Sequence, residues 1–141
     1  MTKRELAISN FNEGMNCAQA VLLAFKDEVG VDEQTLRKII IGFGGGFARQ
    51  RLVCGAISGM CAVLGLVKSD GEDKRTIYAT IQKACAEAKE KLGSIICEDL
   101  LKEAGADKSP TPAERTKEYY EKRPCSEICG IVAEITEKFV K

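Results

Sequence analysis

From Leu52 to Val67 the chain carries no charged residue, although charged residues make up 30% of the whole. The stretch contains Gly55, Gly59 and Gly65 and falls short of the roughly 20 apolar residues that a membrane span requires. An uncharged segment of this kind has to be covered by the rest of the protein. It predicts a central helix with other helices packed around it. An interior glycine costs a helix about 1 kcal/mol relative to alanine. Gly55 and Gly59 lie four residues apart on one face, so they predict a neighbouring backbone or a bound cofactor approaching closely there.

Helix signals recur on both sides of this segment. Ile77, Ile81, Ala84, Cys85, Ala88 and Leu92 form one apolar stripe on a helix from about Glu72 to Leu92, which Gly93 should end. Ile128, Ile131, Val132, Ile135 and Phe139 form another on a C-terminal helix packed on one face. Thr2 with Glu5 and Asn16 with Gln19 read as capping boxes. The helix after Asn16 should run through Phe25 to a stop at Gly30, and Asp32 should cap the next. Thr111-Pro112-Ala113-Glu114 combines a capping Thr, a Pro at the first helical position and a Glu at the third, and predicts a further helix start. Strand signals are scarce, since the one Asp-Gly pair, Asp70-Gly71, lacks alternating apolar flanks. The expected fold is all-α: a single domain over residues 1–141, about six to seven helices around the Gly-rich one.

The chemistry is narrowed by two counts, His 0 and Cys 7. Without histidine there is no imidazole base for a nucleophile, no His metal ligand and no axial His for haem. Twenty-one basic and 21 acidic residues give a formal charge of zero, so no net field draws the chain to nucleic acid or to an anionic membrane. The first ten residues contain no apolar signal region, which makes the cytoplasm the expected location. In a reducing compartment seven thiols are expected free, metal-bound or transiently oxidised rather than locked in a disulfide framework.

On the helix map the cysteines fall into two groups. With Asn16 as cap, Cys17 is the first helical residue. With Ser94 as cap, Cys97 is the third. With Pro124 at the first helical position, Cys125 is the second, and Cys54 lies in the opening turns of the central helix. A helix N-terminus offers unpaired N–H groups and partial positive charge, which favour thiolate over thiol. Arg49 and Arg51 add to this at Cys54 if they point inward. Cys61, Cys85 and Cys129 fall inside helices. Cys85 reads as a small core residue, Cys61 as a supplement to a site at Cys54, and Cys129, one turn after Cys125, as a core residue first, with a rival ligand or resolving thiol as the alternative. No Cys-x-x-Cys is present, which argues against a zinc ribbon, a thioredoxin-type site or a bacterial ferredoxin run. Gly44-Gly45-Gly46 has no Lys-Ser or Lys-Thr after it, so it reads as a turn rather than a phosphate cradle.

Asn16-Cys17-Ala18-Gln19-Ala20-Val21, Gly42-Phe43-Gly44-Gly45-Gly46, Cys54-Gly55-Ala56-Ile57-Ser58-Gly59, Cys97-Glu98-Asp99-Leu100-Leu101 and Cys125, in that order, resemble the C_GCAxxG_C_C family of redox-active proteins from about Met15 to Ile135. The family label spells its central motif Gly-Cys-Ala, where this chain reads Cys-Gly-Ala. The resemblance implies four signature cysteines, which fall on Cys17, Cys54, Cys97 and Cys125. The family is similar to part of the split-Soret cytochromes, which carry non-haem iron-sulfur sites. Haem attachment needs Cys-x-x-Cys-His, which is absent, so haem is not implied.

These readings converge on Cys17, Cys54, Cys97 and Cys125 as a redox or metal-binding site, with Gly55 and Gly59 letting helices or a cofactor crowd against it. Like charges about 4 Å apart repel by about 4 kcal/mol at an effective dielectric near 20, so four converging thiolates need an offset. Electron transfer through an iron-sulfur centre provides one and is the leading expectation. Metal-free dithiol/disulfide chemistry is the alternative, and a structural four-cysteine zinc module ranks below both. The expected partner is another redox protein, with neither nucleic acid nor membrane involved. The apolar central helix is compatible with a homodimer.

Overall fold

A computed structural model describes residues 1–101 and 104–141. Its elements are α1 (Lys3–Asn12), α2 (Cys17–Ala24), α3 (Lys26–Val29), α4 (Glu33–Ile40), a 3-10 turn (Ile41–Phe43), α5 (Gly44–Phe47), α6 (Gly55–Lys68), α7 (Lys74–Leu92), α8 (Cys97–Leu101), α9 (Lys117–Lys122) and α10 (Cys125–Val140). Among the described residues no strand forms. The one β-type pairing is an isolated antiparallel bridge between Val53 and Ile96. The fold is all-α, and no described helix is long and apolar enough to cross a membrane.

The caps sit where the residue types require them. Thr2 and Asn16 close capping boxes with Glu5 and Gln19. The Asp32 side chain accepts the Thr35 N–H, and Gly93 takes the left-handed conformation that ends α7. The helix expected from Cys17 to Gly30 is instead broken at Phe25. Lys3 Nζ donates to the Ala24 carbonyl at 3.1 Å, and the Glu28 N–H turns to Phe25 O. A short α3 then runs to the left-handed Gly30.

The uncharged segment becomes α6, which shares the centre with α2 and α10 rather than holding it alone. α2 packs on α6, α10 packs on both, α1 lies across α10 and α2, and α7 flanks α10 and α6. Gly59 allows the α2–α6 contact, since a Cβ built there would stand 2.7 Å from the Ala18 carbonyl oxygen. α10 is buried more widely than a single apolar face predicts. Gly130 brings it against Ile8 and Arg4 of α1. The buried Thr136 hydroxyl donates to Val132 O at 2.7 Å. On α7 only Ala84 and Ala88 of the predicted stripe are fully buried, and Ile77, Ile81, Cys85 and Leu92 lie half-buried.

The helix expected at Thr111 does not form. Residues 111–116 run as an irregular strap, and α9 begins after Thr116, whose side chain accepts the Tyr119 N–H. Long-range arginine bonds hold the strap instead. Arg49 Nη1 donates to Ser109 O at 2.8 Å and also to Thr111 O. Arg115 donates to Phe11 O and Met15 O, each at 3.0 Å, and lies over the Phe11 ring. These charge-assisted bonds outweigh a local propensity of about 1 kcal/mol.

Candidate functional site

The strap, the Gly44–Arg51 segment and the N-terminal ends of α2, α6, α8 and α10 enclose a cavity of ≈ 470 Å³, and Cys17, Cys54, Cys97 and Cys125 all line it. Cys17 is the first residue of α2, and Cys54 is the N-cap of α6. Cys97 and Cys125 are the first residues of α8 and α10, earlier in their helices than the caps assigned from sequence imply. At Cys97 the Val53–Ile96 bridge keeps the chain extended up to Ile96. The Cys97 N–H donates to Leu52 O at 2.6 Å and the Cys54 N–H to Ile95 O at 2.8 Å, so two cysteines distant in sequence are tied side by side. At Cys125 the preceding Arg123 is extended, as a residue before proline tends to be, and Pro124 becomes the cap.

Cys17 neighbours two other thiols, Cys125 and Cys129, close enough for each to shift its pKa. Cys129 is wholly buried behind it, with its sulfur 4.0 Å from the Cys17 carbonyl oxygen, and does not line the cavity. Of the four cavity cysteines, Cys17 is half-buried and the others are buried. Gly55 lies on the cavity wall, where an added Cβ would meet Phe43 O at 3.0 Å and Cys17 Cβ at 3.2 Å. Gly59 faces the α2 backbone, away from the cavity.

Helix position does not make these thiols acidic. For Cys17, the neighbouring Cys125 thiol lowers the pKa, but the Cys129 thiol and burial together leave it raised well above the ordinary thiol value. Burial pushes Cys54 up to about 12, against the pull of the Ala56 and Ile57 N–H groups. Cys125 is raised by the neighbouring Cys17 thiol and by burial. Cys97 is raised by burial, which Arg51 partly offsets. Desolvation and crowding among like groups win over the end-of-helix field, so the reduced site holds neutral thiols.

Arg51 points inward and is only 3% exposed. Its Nε donates to Asp107 O at 3.0 Å, and its Nη1 lies 3.6 Å from Cys97 Sγ. The backbone that delivers it is strained: Phe47, Ala48, Arg49 and Arg51 all have left-handed φ between 53° and 66°. Gly46 makes the fold-back feasible, because a Cβ there would stand 2.5 Å from the Leu52 nitrogen. The glycine run is therefore a close-packed, strained support. Sequence periodicity gave no sign that Arg115, Tyr119 and Arg123 also reach the cavity wall.

Cys61 and Cys85 do not join this site. They neighbour each other across the α6–α7 contact, and both are only partly buried. Cys61 therefore does not supplement Cys54, and Cys85 is not a core residue.

As a donor set the cavity is purely thiol, the type that suits iron-sulfur clusters and zinc. Among the described residues, however, no three cysteine or carboxylate side chains are arranged to hold a metal ion.

An all-helical domain with four cysteines from four helix starts on one cavity is a cysteine-centred protein. The family model described as "Putative redox-active protein (C_GCAxxG_C_C)" matches residues 15–139, and the chain belongs to that family. No curated protein and no solved structure matches it.

Proposed function

We propose that the protein transfers electrons through the Cys17–Cys125 thiol pair on the wall of this cavity. The observation that carries the reading is the closeness of these two cysteines, from α2 and α10, on the one described cavity that four of the seven thiols line. Cys17, the more exposed of the pair, attacks a disulfide of a partner protein as its thiolate, having given its proton to solvent. One partner thiol leaves and a mixed disulfide forms. Cys125 then loses its proton and attacks Cys17 Sγ, releasing the second partner thiol. The pair gives up two electrons and two protons, and the partner disulfide takes up both. Oxidation also relieves the crowding of buried sulfur. A reducing compartment such as the cytoplasm would return the pair to its free form.

A second reading rests on a different observation: exchange needs two cysteines, and four line the cavity. Cys17, Cys54, Cys97 and Cys125 are the residues that would hold an iron-sulfur cluster, which would supply one-electron transfer. The donor chemistry suits such a group; no three of the described side chains are arranged to hold a single metal ion, and no step above runs through a cluster.

Purification without oxygen, followed by iron and sulfide assay, an absorption spectrum and mapping of thiols oxidised by a protein disulfide, separates the two. The exchange reading expects a colourless protein that forms a Cys17–Cys125 disulfide, lost in Cys17→Ser. Stoichiometric iron and sulfide with visible colour, lost in both Cys17→Ser and Cys97→Ser, would overturn it in favour of the cluster.

A further inference from the structure

We propose that the cavity binds a small oxyanion of the sulfate or phosphate type beside the thiols, with Arg51 as its principal ligand. The proposal deepens the redox reading of the same cavity by naming the class of molecule that reaches it.

A guanidinium carries five N–H donors, and Arg51 is almost fully withdrawn from water. Its Nε and Nη1 are used by Asp107 O and Cys97 Sγ, while the buried Nη2 has no hydrogen-bond partner. A buried donor on a charged group left without an acceptor is costly, and a charge without a counter-charge more so. Among the described residues Arg51 makes no ion pair, although its charge reaches the Asp107 carboxylate. No Asp or Glu among the described residues lines the cavity. The carboxylate of Asp107 is 65% exposed and stands 3.9 Å from Arg49, on the outside. Arg115 and Arg123 add positive charge to the wall, the second lying over the Tyr119 ring.

Among the described residues a buried cation, an N–H without a partner, further arginines and neutral thiols together make a site short of negative charge. The planar guanidinium fork matches two oxygens of an oxyanion, which fits this group better than a lone halide does. The volume of ≈ 470 Å³ admits either the free ion or the end group of a small molecule.

The test is isothermal titration of the reduced full-length protein with sodium sulfate and with sodium phosphate, at ionic strength held constant with sodium chloride. Glycerol 3-phosphate, run in parallel, distinguishes a free ion from a phosphomonoester end group. Saturable binding at one site is expected. It should weaken about tenfold, which is about 1.4 kcal/mol, in Arg51→Gln, and stay unchanged in Lys74→Gln, remote from the cavity. If Arg51→Gln loses its helical circular dichroism, Arg51→Lys, which keeps the charge but not the fork, takes its place with the same expected loss, and Arg123→Gln should weaken binding by a smaller factor. No saturable heat with any of the three probes across the millimolar range, or equal affinity in the Arg51 and Lys74 variants, overturns the proposal. The same titration in Cys17→Ser keeps the two readings apart. Binding retained there, when the wild type forms no Cys17–Cys125 disulfide, sinks only the redox reading. An intact oxidisable pair with no anion binding sinks only the oxyanion site.

Discussion

Arg51 Nη1 stands 3.6 Å from Cys97 Sγ, joining the strained loop before α6 to the first residue of α8. The contact and the positive charge of Arg51 both pull the Cys97 thiol down, against the larger effect of burial. Removing the guanidinium leaves burial unopposed. In Arg51→Gln the Cys97 pKa is expected to rise further, so its alkylation rate, followed by peptide mass spectrometry across a pH series, should reach half-maximum at a higher pH than in the wild type. An unchanged midpoint would show that Arg51 does not govern this thiol.

Outside the cavity the order of reactivity is set by the Cys61–Cys85 contact. The neighbouring Cys61 holds Cys85 below the ordinary thiol value, while Cys61 itself is raised. At neutral pH a thiol held below that value is the richer in thiolate. Cys85 should therefore be the first cysteine modified by iodoacetamide at pH 7. In Cys61→Ala its pKa should return upward and its labelling should slow. Faster labelling at a cavity cysteine would contradict the neutral-thiol site.

Two glycines of α6 should respond to the same substitution in opposite ways. Gly59→Ala places a Cβ against the Ala18 carbonyl and forces α2 away from α6, with an expected loss of about 2 kcal/mol. Gly65 has nothing within 4 Å of its added Cβ, so Gly65→Ala should stabilise by up to about 1 kcal/mol. Thermal melts of both variants read the difference, and a similar destabilisation by both would refute the close approach of α2 and α6.

Alkaline pH should loosen the metal-free reduced protein. Burial raises Cys54 from 9.0 and Tyr119 from 10.0, each to about 12. Below their unfolded values both groups are protonated in either state, and stability does not depend on them. As pH climbs past 9 and 10 toward 12 the unfolded chain releases these protons first, so stability falls by up to about 1.4 kcal/mol per pH unit for each group. Urea melts from pH 8 to pH 11 should show the decline, and Cys54→Ala should flatten its first part. Equal slopes in the two proteins would exclude Cys54 as a source.

The local chemistry of Thr2, Asn16, Asp32 and Gly93 announces helix ends because a cap is satisfied within three or four residues of chain. The absence of charge from Leu52 to Val67 announces burial for an equally direct reason. The capping Thr at Thr111 failed because Arg49, far away in the chain, binds the Ser109 and Thr111 carbonyls, while Arg115 ties the strap to the distant Phe11 and Met15 carbonyls. Cys97 and Cys125 shifted toward their helix starts for a related reason, a bridge from Val53 in one case and Pro124 in the other.

The order of residues alone determined an all-helical domain and marked Cys17, Cys54, Cys97 and Cys125 as helix-start cysteines, because propensity, capping and periodicity act over short stretches of chain. Only the tertiary structure decided that these four share a cavity, that Cys129 lies behind it and that Cys61 faces Cys85. It also reversed the expected acidity of the cavity thiols. A charge on sulfur is governed by water and by neighbours brought from other helices, and neither is present in the linear chain.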